Sequence, residues 1–134
     1  MATRLAPSVS LDTQFFWDGV REHRLLIQRC GGCGALRHPP RPMCPECQSL
    51  EWDSVEASGR GTLYSFCIPR HPLLPWQEEE YVVALVELDE GTRLVSNLVG
   101  VDPAEARIGM PVRVVFEEFD DGLVLPMFTP EETR

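Results

Sequence analysis

Cys30-Gly31-Gly32-Cys33-Gly34 and Cys44-Pro45-Glu46-Cys47 decide how this chain is read. Each pair leaves two residues between its cysteines, and ten residues separate the pairs. A two-residue gap lets both sulfurs of a knuckle reach one ion while the amides of the tight turn face the thiolates. Gly31, Gly32 and Gly34 suit such a turn, because glycine accepts positive φ without steric cost. Two knuckles supply a closed tetrahedral set of four thiolates, which zinc favours. The spacing therefore predicts a zinc ribbon with Cys30, Cys33, Cys44 and Cys47 as ligands. A closed set leaves no open coordination position, so one structural zinc is expected. The gap between the pairs is shorter than is common for such sites, yet it suffices for an extended hairpin. Binding worth about 10–16 kcal/mol would hold together a ribbon too small for its own core. Iron in the same cage is the alternative, and would make the chain an electron carrier. A pair of disulfides is a third reading, disfavoured in a reducing compartment.

Leu25 to Arg29 reads as a short strand leading into the first knuckle. Before it, Asp12 reads as a helix N-cap, with Leu11 and Phe16 as a hydrophobic staple. Phe16, Gly19, Val20 and His23 follow a helical stripe. Phe15 and Trp17 point to other faces, so this helix is expected to touch more than its own core. Between the knuckles, His38-Pro39-Pro40-Arg41-Pro42 is extended, because proline blocks both helix and sheet pairing. Glu51 to Ala57 resumes an extended run, and Ser58-Gly59-Arg60-Gly61 reads as a flexible boundary turn.

From residue 61 the pattern is all-β. Strands are expected at Thr62 to Ile68, Tyr81 to Leu88, Arg93 to Val99, Val112 to Phe119 and Leu123 to Phe128. A proline-rich loop fills Pro69 to Glu80, Asp89-Glu90-Gly91 makes a hairpin turn, and Asp102-Pro103 opens a helical turn. Pro126 assigns the last strand to an edge. Five strands with a helical turn between the third and fourth suit an OB-type Greek-key barrel. The expected architecture is mainly β: a lead-in and helix over 1–24, a zinc ribbon over 25–57, and a five-stranded barrel over 58–134.

The charge is uneven. The formal net is -9, all 12 basic residues are Arg, and there is no Lys. Residues 1–43 hold six Arg against three acids, and residues 44–134 hold six Arg against 18 acids. So acidic a barrel repels nucleic acid backbones and anionic membranes. Tyr64, Phe66 and Tyr81 could stack on bases, but the basic groove of a single-strand binder is missing. No apolar run reaches membrane-spanning length. Met1 to Ser10 has no apolar core of a signal peptide, so the cytoplasm is expected. Cys67 stands alone and reads as a buried structural thiol. His23, His38 and His71 are not spaced as metal pairs, and Glu117-Glu118 and Asp120-Asp121 read as a solvated strand end and turn. No Ser-His-Asp set, phosphate-binding loop or dinucleotide fingerprint makes this chain an enzyme by itself.

The order of motifs resembles domain-of-unknown-function family 35, whose members join an N-terminal helix, a rubredoxin-like zinc ribbon and an OB-fold. The matching stretches are Phe16-Trp17 with Gly19, Leu25 to Cys33, Arg37 to Arg41, Cys44-Pro45 with Cys47, Ser58 to Thr62, Tyr81 to Leu88, Leu98-Val99, Ile108 to Val112, and Leu125-Pro126 with Phe128. The resemblance implies a non-catalytic accessory subunit of a thiolase-superfamily acyl-CoA enzyme. The favoured partner is a lipid-transfer-protein-like retro-aldolase of steroid side-chain degradation. Acetoacetyl-CoA thiolase with hydroxymethylglutaryl-CoA synthase, or a hot-dog-fold enoyl-CoA hydratase, are the alternatives. In such a hetero-oligomer the catalytic residues belong to the partner, and the small protein helps form the acyl-CoA path. Phe15, Phe16, Trp17 and Val20 then become expected docking residues. Arg37, His38 and Arg41 become expected neighbours of CoA phosphates, since Arg pairs well with phosphate. The strand around Pro126 is a second candidate contact.

Overall fold

The strand that enters the first knuckle is paired on both sides. In a computed structural model, which describes residues 6–69 and 80–131, β1 (Leu26–Cys30) lies between β2 (Leu36–Arg37) and β3 (Trp52–Glu56). Both pairings are antiparallel, with Gln28 opposite Arg37 and Ser54. A closed barrel follows, ordered β4 (Arg60–Cys67), β5 (Val82–Leu88), β6 (Arg93–Leu98), β8 (Val124–Pro130) and β7 (Pro111–Glu118). β7 returns to β4 to close the ring. A 3-10 turn at Pro103–Glu105 separates β6 from β7, capped by the Asp102 carboxylate accepting from the Ala104 N–H at 2.9 Å. The mainly-β fold of helix, four-cysteine ribbon and five-stranded barrel is the one expected. Among the described residues, no helix is long and apolar enough to cross a membrane.

The α-helix among the described residues, α1 (Gln14–Arg21), joins the two sheets. It buries Phe16, Gly19 and Val20. Phe16 and Val20 belong to one apolar cluster that also takes in Leu25 and Ile27 from the ribbon side and Leu63 and Phe128 from the barrel. Burial of large apolar side chains is the main favourable term in folding. A shared cluster therefore couples ribbon, helix and barrel energetically.

Several local expectations are corrected. The helix N-cap is Thr13, not Asp12, because a turn between Ser10 and Thr13 closes first: the Thr13 N–H donates to the Ser10 carbonyl at 3.2 Å. Leu11 is 90% exposed, so the staple does not form. His23 lies past the helix end with φ of 61°, and its ring stacks on Phe116 with centroids 5.2 Å apart. Cys67 is exposed, not buried. The pairing of β4 with β5 shifts between Leu63 and Ser65. Such an irregularity reverses the inward alternation. Leu63 faces in before it, Phe66 and Ile68 pack against the core after it, and Cys67 is turned out.

The strand carrying Pro126 is not a free edge either. β8 runs along the whole of β7 but meets β6 at one pair, Leu98 with Phe128. The missing N–H of Pro126 therefore costs little. Its carbonyl accepts from Ser96 Oγ at 2.7 Å. The turn at Ser58 to Gly61, expected to be flexible, is tied to the barrel. The Ser58 N–H donates to Glu90 at 2.9 Å, and the Val114 N–H to the Gly59 carbonyl at 2.7 Å. His71, and most of the loop expected at Pro69 to Glu80, lie outside the described residues.

Candidate metal centre and the adjoining clefts

The two knuckles are built alike. In the first, the Cys30 N–H donates to the Ala35 carbonyl at 2.8 Å and the Gly34 N–H to the Cys30 carbonyl at 3.0 Å. In the second, the Cys44 N–H donates to Ser49 and the Gln48 N–H to Cys44, both at 2.9 Å. Each scheme needs positive φ at the residue after the second cysteine, and Gly34 (78°) and Gln48 (65°) supply it. Glycine does this freely, whereas Gln48 carries the steric cost of a left-handed residue.

This geometry gathers four sulfurs. The Sγ atoms of Cys30, Cys33, Cys44 and Cys47 all lie within 4.8 Å of one another. Cys30 and Cys47 are 3.5 Å apart, and Cys33 and Cys44 are 3.7 Å apart. Tetrahedral zinc with bonds of about 2.3 Å places sulfurs about 3.8 Å apart. Amides face the sulfurs: Gly32 and Cys33 donate to Cys30 at 3.2 and 3.4 Å, and Glu46 donates to Cys44 at 3.4 Å. The residues fit a structural zinc.

The electrostatics alternate around the cluster. The Cys33 N–H, helped by that of Gly32, brings the Cys30 thiol down to about 6 against the opposing effect of burial. The Cys47 N–H likewise lowers Cys44. Cys33 accepts from Ala35, yet burial and the neighbouring sulfurs push it up to about 12. Cys47 accepts from Ser49, and the Cys30 sulfur and burial outweigh that donor and raise it. The first sulfur of each knuckle is thus biased toward the thiolate, and a bound cation would hold all four in that form.

Beside the centre, Gln28 is 1% exposed and fastens the proline-rich turn. Its Nε2 donates to the Arg41 carbonyl at 2.9 Å, and its Oε1 accepts from the Arg41 N–H at 2.8 Å. Arg37, 9% exposed, donates from Nη2 to the same carbonyl at 2.8 Å. Arg37, His38 and Arg41 are thereby brought to one cleft of about 410 Å³. Its far wall is the β5–β6 turn, with Gly91, Thr92 and Arg93. A second, more apolar cleft of about 300 Å³ begins on the other side of His38, between Trp17 of α1 and Val95 and Pro126 of the barrel. Burial drops the His38 imidazole to about 4, so it is neutral at physiological pH.

The four expected docking residues divide. Phe16 is 4% exposed and Val20 is fully buried, so both serve the core. Phe15 and Trp17 are half-buried. Phe15 tilts against Trp52 of the ribbon at 4.9 Å, and Trp17 meets Phe16 edge-on at 5.0 Å. Thr92 and Arg93 were not singled out as site residues from the sequence. They reach the cleft only because the β5–β6 turn folds back against the ribbon.

Comparison with known proteins adds three findings. Residues 17–53 match the family described as the ChsH2 rubredoxin-like zinc ribbon domain, and residues 54–117 the ChsH2 C-terminal OB-fold domain. The chain is 51% identical over 129 residues to a probable enoyl-CoA hydratase alpha subunit of Thermomonospora curvata, covering 96% of this chain and 40% of that protein. It is 48% identical over 117 residues to the 3-oxo-4,17-pregnadiene-20-carboxyl-CoA hydratase alpha subunit of Mycobacterium tuberculosis, covering 87% and 37%. The chain thus spans about two fifths of the length of these relatives. Among solved structures, a chain of the Ltp2–ChsH2(DUF35) aldolase superposes with a TM-score of 0.89 at 52% identity, covering 92% of this chain and 98% of that one.

Proposed function

This chain belongs to the DUF35 family of zinc-ribbon and OB-fold proteins, and from that premise we propose that it is a non-catalytic accessory subunit of a thiolase-like acyl-CoA enzyme. The partner is a retro-aldolase acting on a steroid side-chain CoA thioester, and the two assemble as a hetero-oligomer in the cytoplasm. One observation carries this reading: the likeness at 52% identity to nearly the whole of a chain in the Ltp2–ChsH2(DUF35) aldolase. The steroid acyl-CoA named for the Mycobacterium tuberculosis relative supports the substrate class.

The site supports a binding and scaffolding role. A closed four-sulfur zinc site offers a substrate no coordination position. Its part is to fix the ribbon on which Arg37, His38 and Arg41 stand. The arginine-lined cleft suits the phosphates of CoA, and the apolar cleft beyond His38 suits the less polar arm of the thioester. Phe15 and Trp17, with Trp52 beside them, form the docking surface for the partner. A second reading is favoured by the hydratase relatives: the same module serving a hydratase subunit.

Co-expression with a thiolase-like aldolase partner tests the docking surface. Phe15→Ala with Trp17→Ala is expected to abolish co-elution while the variant keeps its zinc. Undiminished co-elution would remove this helix as the docking element.

A further inference from the structure

Arg37 is a buried charge with no counter-charge among the described residues. Its Nη2 donates to the Arg41 carbonyl, but its Nε and Nη1 are buried and have no partner among the described residues. Arginine cannot escape this by losing its proton. An unpaired buried ion costs several kcal/mol, so such groups are normally matched by an anion. Thr92 Oγ1, on the opposite wall of the same cleft, is also buried and unpartnered, as is His38 Nδ1.

We propose that Arg37 and Thr92 form a phosphate-binding subsite that joins the ribbon to the β5–β6 turn. This deepens the acyl-CoA reading and rests on it for the identity of the ligand, though not for the chemistry of the subsite. The ligand class is a phosphate ester or diphosphate. Unpartnered polar atoms from two separate elements, β2 and the β5–β6 turn, line one cleft, and the several oxygens of a phosphate can serve donors on both walls. The charge around the cleft points the same way. Arg41 and Arg93 also line it, in a chain whose C-terminal two thirds are otherwise acidic. Arg93 is held by Glu87 at 3.2 Å and lies over the Tyr64 ring at 3.8 Å, so it adds field while Arg37 supplies the free donors. The two walls belong to different sheets, so a bound phosphate would also brace the ribbon against the barrel.

The test is a nuclear magnetic resonance titration of the full zinc-loaded chain with sodium pyrophosphate, and separately with sodium acetate at equal ionic strength. Zinc content is checked before and after. Saturable shifts are expected at the Arg37 Nε–H and the Thr92 amide, and not at the exposed Arg107 and Arg113. Arg37→Gln should weaken pyrophosphate binding about tenfold or more. Thr92→Val should weaken it about threefold. If Arg37→Gln does not fold, Thr92→Val and the wild-type shifts decide. Shifts that do not saturate, that spread evenly over exposed arginines, or that acetate reproduces would overturn the subsite. A parallel titration with CoA separates the two claims. Pyrophosphate binding with no tighter binding of CoA would keep the subsite and remove the CoA reading. CoA binding unchanged in Arg37→Gln and Thr92→Val would do the reverse.

Discussion

The side chain of Gln28 and the backbone of Arg41 hydrogen-bond in both directions, at 2.9 and 2.8 Å, as two strand residues would. Gln28 lies on the central ribbon strand, and Arg41 three residues before Cys44. This pair sets the path of the proline-rich turn, whose prolines cannot donate backbone hydrogen bonds of their own. It thereby positions both the second knuckle and the arginine cleft.

Gln28→Leu keeps the volume and removes the pair. The Arg41 carbonyl still accepts from Arg37, so the orphaned group is the Arg41 N–H. Leaving this part-buried donor without its partner costs about 1–3 kcal/mol. Chemical denaturation of the zinc-loaded variant should show a loss of about 2 kcal/mol with an unchanged slope. A loss below about 0.5 kcal/mol would mean that water replaces the glutamine.

The second knuckle carries strain that the first does not. Gln48 adopts φ of 65° at the position where the first knuckle has Gly34. Gln48→Gly should therefore stabilise the chain by about 0.5–1 kcal/mol, after allowing for glycine's extra freedom in the unfolded state. The reverse change, Gly34→Gln, should destabilise by a similar amount. Equal denaturation midpoints for Gln48→Gly and wild type would contradict the account of the two knuckles.

Metal retention should depend on pH in a defined direction. The Cys30 thiol lies at about 6, below the ordinary thiol range. Its contribution is complete above that ordinary range and is lost as pH falls through about 6. Zinc release to a colorimetric chelator should thus rise as pH falls, because protons compete with the metal for the thiolates. Cys44→Ser should release zinc already at neutral pH, because a serine hydroxyl is a poor substitute for a thiolate. Purified protein should be colourless with one zinc by elemental analysis, whereas visible absorbance from iron would restore the electron-carrier reading.

His38 adds a separate pH effect. Its folded value of about 4 lies below the ordinary histidine value of 6.5. The unfolded chain therefore binds more protons between those values, and stability falls as pH drops from about 6.5 to about 4. His38→Phe keeps a ring beside Phe16, which lies 5.1 Å away, and removes the titration. The difference between the two stability curves should be flat above about pH 6.5 and reach about 2–3 kcal/mol in favour of the variant near pH 4. Parallel curves throughout would show that His38 is not held neutral.

Much of this was legible in the sequence because its signals are local. Two C-x-x-C pairs specify four sulfurs by spacing alone, and the apolar runs punctuated by Asp-Glu-Gly and Asp-Pro locate five strands and the 3-10 turn. What stayed hidden depends on contacts between distant residues. Nothing near Gln28 shows that it will clasp Arg41, and nothing near Thr92 shows that it will line the same cleft as Arg37. The outward turn of Cys67 follows from the irregularity at Leu63 and Ser65, which no composition signal marks. Phe15, Phe16 and Trp17 read alike as a row of aromatics. Only packing reveals that Phe16 belongs to the core and its neighbours to the rim.

As an accessory subunit, this chain should complete the active site of its partner. The most direct test is retro-aldol cleavage of a steroid side-chain CoA thioester by the thiolase-like partner, assayed alone and with this chain at equal molar ratio. Little turnover by the partner alone, with activity restored on adding the zinc-loaded chain, is the predicted result. A partner that is monodisperse and fully active alone, and unchanged by this chain, would contradict it.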